Sequence, residues 1–591
     1  MASAEELVQK TVLSLETGNL AAWIWRGVFA FVALGLSVFY LVHEFKGLPV
    51  AQAMDQAQIG REILRGRGWA TQVVRPLAMG ELERHHKEVK TAIWKDTYNA
   101  PIPPLLDAAA LYLPIRNNWA MGPTDYVYAG DRAIALMGVF FFLAALAVLY
   151  RIAADLFDSR LACIATGLAL ICDMMWQYSL SGLPQMFLLL LLHLSVYALI
   201  RAMRARYLNE PHLWWIAGTG LGFGLMALTH ALSIFIFVPV LVFTFLFFRP
   251  RMLTAGLMLG VFLAVYSPWL VRNAAVCGDF RGMAGFSGLD GIVRPESDHM
   301  RRFAIDLGTT SGNYFAQNFR VNLMAQINRL IEYMGWSFVA PLALVSVLHS
   351  FRRPVTATFR WVLLSMWASA VFGMAVFGMK EEGRLAANQF HMLFVPLFLC
   401  YGMAYVLVQW DRRIGLGFIV PQWSNRSGVH YFFRRSLVAA VFIISGIPLV
   451  TRMFLERPGW QIAWPPYVPP FITKFHGLFG PNEIIGSDMP CAVAWYGDRR
   501  SLWLPYTPEE LTEISDYQKL GGPVAALYFT PVSGSENKLR DLIDGEYEHW
   551  WKYIVRSIDL KTSPYPVKAI PSASLAECVI YLDKPRRVES K

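Results

Sequence analysis

Residues 53–69 read "AMDQAQIGREILRGRGW", and Asp55 at its head is the first side chain whose type and position could do chemistry. It stands about a dozen residues beyond the first long apolar stretch. It also opens a helical pattern in which Ile59, Ile63 and Leu64 repeat opposite Arg61, Glu62 and Arg65, as in an amphipathic helix lying in a membrane interface. Read alone, Asp55 is an acid placed at the positive end of a helix. Read as a reactive group, it is a general base for a hydroxyl or amine presented at the membrane surface. Cations are expected at the same level: Arg272 in "PWLVRNAAVCGD", His230 in the turn "ALTHA", Arg132 at the opening of the second apolar stretch, and Arg61 itself. Each alone reads as a side chain snorkelling from a helix end. Gathered at one interface they suit the phosphate of a lipid.

Other patterns carry less. The adjacent histidines of "ERHHKE" (83–88) point to different sides of a helix or strand, and no second pair at ligand spacing follows, so no metal is expected. No phosphate-binding loop or dinucleotide fingerprint is present, and no cofactor is expected. "GLGFG" (220–224) falls inside an apolar stretch, where glycines serve helix packing. The aromatic run "AWYGDRRSLWLP" (494–505) suits either stacking on a sugar or a domain core.

The elements that must position these groups are set by composition. The chain has 591 residues, 55% hydrophobic and 16% charged, with a mean hydropathy of +0.38. It reads as an α-helical polytopic membrane protein. About eleven apolar stretches are long enough to cross: 22–42, 131–150, 161–178, 184–201, 212–229, 231–249, 253–271, 330–350, 358–379, 386–409 and 436–453. The first lacks a cleavage signature and is expected to stay as a helix. The net charge of +10 lies in alternate loops, at Arg201/Arg204/Arg206, Arg249/Arg251, Arg352/Arg353/Arg360 and Arg412 to Arg435, so it argues for topology and not for nucleic acid. Those loops are then cytoplasmic, and 43–130, 272–329 and the tail from 454 face outward. "APIPPLLDAAALYLPI" (100–115) would invert that parity if it crossed, and reads as a juxtamembrane or re-entrant element. The expected division is a transmembrane domain, 1–453, and a small C-terminal α/β domain, 454–591. In the tail, "NEIIGSD", "CAVAWYG", "VAALYFT" and "ECVIYL" are short apolar runs, and Thr507 and Ser535 are helix caps. Cys491 and Cys578 could pair only in an oxidising compartment.

The order of these motifs resembles the GT-C superfamily of membrane glycosyltransferases, above all the protein O-mannosyltransferases and the bacterial lipid A aminoarabinose transferases. The similarity covers roughly 20–410. It rests on the acidic helix "DQAQIGREILRGRGW", the proline-rich "NAPIPPLL", the Arg-opened span "DRAIALMGVFFFLAALAVLYRIAADLF", the turn "GLMALTHA" and "PWLVRNAAVCGD". The sequence departs from the pattern at Gln56, where a second acid is usual, before "NAPIPPLL", where a lysine is common, and at Pro184/Gln185, where an Asp is frequent.

The resemblance implies a GT-C fold with about 11 to 13 transmembrane helices. It implies transfer of a sugar from a polyprenyl-phosphate carrier to a lipid, glycan or protein acceptor, with inversion, on the periplasmic face of a bacterial inner membrane. By the same resemblance Asp55 is the catalytic base, Arg272 and His230 face the carrier phosphate, and Arg61 and Arg132 belong to the same field. A polyprenyl-linked glycan transporter or a catalytically silent carrier-binding protein is the alternative. Duplicated halves, which a transporter would favour, are not visible in the sequence.

Overall fold

The computed structural model describes residues 19–89, 92–115, 127–289, 299–303, 312–379, 381–382, 385–415, 426–454, 469–516, 520–530, 547–561, 563 and 578–586. Its body is a helix bundle. α1 (Asn19–Val38) continues as one wide turn over Phe39–Glu44. After two short helices at its end, α2 (Ala51–Leu64) and α3 (Pro76–Arg84), comes the proline-opened α4 (Ile102–Ile115). The chain then runs through α5 (Ala129–Leu156), α6 (Ser159–Leu170), α7 (Asp173–Leu180), α8 (Gln185–Tyr207), α9 (Leu213–Thr229), α10 (Ser233–Phe247) and α11 (Arg251–Cys277). It closes with α12 (Gly312–Asn328), α13 (Pro354–Phe377), α14 (His391–Gly415) and α15 (Arg426–Phe454). Among the described residues seven helices are long and apolar enough to cross a membrane, or eight if α6 and α7, bent by 58° at their junction, form one broken span. α9 and α10, with 17 and 15 residues, are shorter apolar helices. Glycines let these helices approach: a Cβ on Gly220 would stand 2.6 Å from the Met258 carbonyl, and one on Gly222 2.1 Å from Ser195 Oγ. The run "GLGFG" therefore packs helices.

One expected span is not a continuous helix. Residues 330–350 fold as the short turns Leu330–Tyr333, Leu342–Val345 and Ser346–Leu348. The segment still traverses the bundle. Gln389 donates to the Tyr333 carbonyl (2.9 Å) at one end, and at the other the following loop meets the end of α5, where Arg353 donates to Phe157 and Thr356 to Leu156. Gly335 and Pro341 break the helix, and burial of Val339, Ala340 and Ala343 inside protein tolerates the broken backbone.

The tail is the expected small α/β unit. β4 (Ile484–Ser487), β5 (Arg500–Trp503), β6 (Val524–Phe529) and β7 (Val579–Leu582) follow three first-loop strands, β1 (Ala70–Thr71), β2 (Val73–Val74) and β3 (Trp94–Lys95). The five-stranded sheet runs β2-β5-β4-β6-β7, parallel except for β7. Every residue of β6 is buried, as a parallel strand covered on both faces requires. The outermost parallel strand comes from the first loop, with Val73 opposite Ser501 and Val74 opposite Leu502. "CAVAWYG", a short apolar run in sequence, is α16 (Pro490–Gly497), begun by Pro490 and ended by Asp498 in the left-handed region. α17 (Pro508–Asp516) starts with Thr507 accepting from Glu510 N (3.2 Å), whereas Ser535 lies outside the described residues. No disulfide joins Cys491 to Cys578 or any other pair of cysteines among the described residues.

Candidate active site

α2 does not lie on the bundle as an interfacial helix. Every residue from Ala53 to Glu62 is buried, polar ones included. One side of α2 meets α4, where Gly60 leaves no room for a Cβ: it would stand 2.9 Å from both Asp107 Cβ and the Pro104 carbonyl. The polar side is covered by the tail. Arg61, 0% exposed, donates to the carbonyls of Trp495 (2.7 Å) and Ala494 (2.6 Å), and its Nη2 stands 3.2 Å from Asp498. Arg65 holds Asp498 through two bonds of 2.7 and 2.8 Å. Burial opposes ionisation of Asp498, but Arg61 and Arg65 prevail and hold its carboxyl well below the usual range. At the start of α5, Asp131 accepts from Trp495 Nε1 and Tyr496 Oη, both at 2.7 Å. The first half of the aromatic motif is thus core, fixing the tail to the bundle.

Asp55 is 1% exposed. Its Oδ2 pairs with Arg75 (2.5 Å) and accepts from Asn99 Nδ2 (2.6 Å), while Oδ1 receives one longer bond, from Gln58 at 3.3 Å. Gln58 is held by Thr71 (2.6 Å) and Gln72 N (3.0 Å), so β1 and β2 set its rotamer. Arg75 also faces Asp96 (3.7 Å) and lies over the Tyr98 ring, 4.3 Å from its centroid. Asp96 in turn caps Asn99 N (2.8 Å). Burial, outweighing the pull of Arg75, pushes the Asp96 carboxyl up to about 6, with the negative charge of Asp55 adding to the rise. An acid so raised stabilises the fold below its unfolded pKa of about 3.9, and that contribution is lost as pH rises through about 6. The thermal midpoint of the wild-type protein is therefore expected to fall between about pH 4 and 6 relative to Asp96→Asn, measured on the two proteins in parallel. Asp498, lowered, loses its contribution only at much lower pH.

The end of α11 reaches the same loop. Arg272 donates to the Asp96 carbonyl and to Asn273 Oδ1 (3.1 Å), and lies over Trp269, whose ring meets Trp69 edge-on at 5.7 Å. α11 stops at Gly278, with φ +88°. Gly282, also at positive φ, then passes so close to Thr97 that a Cβ would stand 2.4 Å from its carbonyl.

An acid on a helix at one end of a membrane bundle, tied to an arginine loop and covered by an α/β tail, can be compared as a whole. ArnT from Cupriavidus metallidurans, solved with undecaprenyl phosphate, superposes with a TM-score of 0.54 at 12% identity, over 94% of this chain and 98% of that one. The chain has the GT-C fold. The Archaeoglobus fulgidus oligosaccharyltransferase AglB, solved with an inhibitory peptide and a dolichol-phosphate, matches with a TM-score of 0.50 at 12% identity, over 90% of this chain and 72% of that one. In sequence, residues 124–271 match the family described as dolichyl-phosphate-mannose-protein mannosyltransferase. Curated proteins offer no match.

Within this fold the residues singled out from sequence separate. Arg272 is brought to the loop of Asp96 and Asn99 and stays half-buried. His230 sits in the turn between α9 and α10, 9% exposed, its Nδ1 accepting from Leu232 N (3.3 Å) and its ring edge-on to Phe390 at 5.0 Å. Arg132 is exposed beside Asp131. Arg61 points into the tail and not toward solvent. Sequence reasoning missed Arg75, Asn99 and Asp96. Arg75, a lone charge between the apolar "VV" and a proline, and Asn99, directly before the proline-rich element, were the available signals.

Proposed function

We propose that this protein is a glycosyltransferase that moves a sugar from a polyprenyl-phosphate carrier to an acceptor at the periplasmic face of a bacterial inner membrane, with inversion. The observation that carries the reading is the asymmetry at Asp55: Arg75 and Asn99 engage Oδ2 and keep the carboxylate in place, leaving Oδ1 only lightly bonded. Oδ1 takes the proton of the acceptor hydroxyl or amine as its heteroatom attacks the anomeric carbon, and the bond from that carbon to the phosphate oxygen breaks on the opposite side. The departing electron pair stays on the carrier phosphate, which Arg272 receives and His230 assists. A lipid phosphate is already a good leaving group, so a base and a fixed cation are sufficient. Arg61 supports the site from behind by holding the tail on α2, and Arg132 is a peripheral cation at the same end. The description of the matching family, which names a lipid-phosphate mannose donor, and the carrier lipids in the two solved structures support the donor class.

Transfer of labelled sugar from polyprenyl-phosphate-sugar pools into membrane fractions tests the reading. Arg272→Gln is expected to lower kcat/KM for the donor roughly 10- to 100-fold, the loss of a charge-assisted bond to phosphate, with Arg272→Lys intermediate. Absence of transfer by the wild type from every such pool, or an unaffected Arg272→Gln enzyme, would sink it.

A further inference from the structure

A cleft lies between α4, the stretch of α5 from Ile134 to Phe141 and the turn into α8. Leu106, Ile134, Phe141, Leu183 and Met186 contribute its apolar wall, and no lysine, arginine or histidine lines it among the described residues. One acid does. Asp107 is 7% exposed, and its Oδ2 is fully enclosed with no hydrogen-bond partner among the described residues. Such a group is normally partnered, and an ionisable side chain at membrane depth without a partner is a mark of ligand binding. Glycines shape the space: Gly182 has φ +74°, and Gly138 lets the Ser179 carbonyl pass where a Cβ would stand 2.1 Å away. Leu105, Leu136 and Phe140, on the same helices, are exposed apolar side chains, so lipid reaches this flank.

We propose that this cavity binds one acyl chain of a membrane lipid, with the ester or amide carbonyl at the head of that chain accepting a hydrogen bond from Asp107. Burial with no opposing cation holds the Asp107 carboxyl well above the usual range, so it is an O–H donor that seeks a neutral oxygen. That chemistry separates two kinds of lipid. The phosphate of a polyprenyl carrier meets no cation here, and its hydrocarbon tail has no acceptor. An acylated lipid carries a carbonyl directly above its first methylenes, the combination that a neutral acid in the wall of an apolar cleft matches. The walls come from the first turns of α4, from Ile134 to Phe141 of α5 and from the first turn of α8. Because Asp107 packs on Gly60 of α2, the polar end of the bound lipid is seated on the helix pair that also carries Asp55. The inference does not depend on the chemistry at Asp55.

The full chain, reconstituted in phosphatidylcholine vesicles, can be photolabelled with a phosphatidylcholine carrying a diazirine near the carbonyl of one ester-linked chain, and in parallel with its dialkyl ether analogue. Peptides containing Met137, Phe141 and Met186 are expected to be labelled roughly fivefold more by the ester, the advantage of one net hydrogen bond. Asp107→Leu should reduce ester labelling to the ether level, Asp107→Asn, which can still donate, should retain most of it, and Leu106→Trp should block both probes. Asp55→Asn should leave the pattern intact, which separates failure of this site from failure of the catalytic reading. Excess polyprenyl phosphate should not compete. Equal labelling by ester and ether in the wild type, unchanged labelling in Asp107→Leu, or displacement by polyprenyl phosphate would overturn the proposal.

Discussion

Asp55→Asn is expected to lower sugar transfer about a thousandfold while leaving the protein folded and able to bind carrier lipid. The magnitude is that of removing a positioned general base, roughly 10²- to 10⁴-fold. Folding is expected to survive because the amide is isosteric: its oxygen can keep the bonds from Arg75 and Asn99 on the Oδ2 side. The substitution has a second consequence. Asp55 is one of the groups that raise Asp96, so removing its charge lets Arg75 favour the Asp96 carboxylate more strongly. The pH-dependent loss of stability near 6 should therefore move downward in Asp55→Asn. A mutant that loses transfer without that movement would place the defect elsewhere than in this carboxylate–guanidinium cluster. Wild-type rates of transfer would remove Asp55 from the mechanism.

Arg61→Ala is expected to destabilise the protein by about 3–5 kcal/mol, the cost of breaking a buried charge pair by removing one partner. Arg61 is fully buried, and it donates to the Ala494 and Trp495 carbonyls in the last turn of α16, where backbone acceptors have no helical partner. A cation there also complements the negative end of the helix. Removal strands those carbonyls and leaves Asp498 to Arg65. Arg61→Lys should rescue little, because one ammonium cannot reproduce the two-pronged geometry that engages two carbonyls at once. Thermal unfolding and limited proteolysis of the tail are the measurements. Transfer should fall as well, since α2 carries Asp55 and the tail covers its polar side. A stable protein with a protease-resistant tail would show that the other contacts, among them those of Asp131 with Trp495 and Tyr496, hold the tail without Arg61.

The sequence by itself determined the membrane bundle, because apolar stretches of span length leave a chain no alternative to helices in lipid. Charge parity in the loops adds the expectation that the proline-rich element does not cross. The sequence offered Asp55 and Arg272 as candidates, an acid at the head of an amphipathic helix pattern and a cation at the end of an apolar stretch. The tertiary structure decided what those residues touch. The groups that hold Oδ2 of Asp55 are Arg75 and Asn99, 20 and 44 residues further along, and no local periodicity relates them. Arg61 fits the polar face of an interfacial helix in sequence, yet its carbonyl partners stand 434 and 433 residues away, so only the folded tail turns that face inward. Strand β2 is two residues long, too short to carry an alternation, and exists only because β5 offers an open edge. The break in 330–350 has the same origin. Its composition is that of a span, and burial against protein allows the turns that lipid would forbid. Patterns of period 3.6 record where water and lipid lie, whereas the contacts that make the site join segments remote in the chain, and those are fixed only by packing.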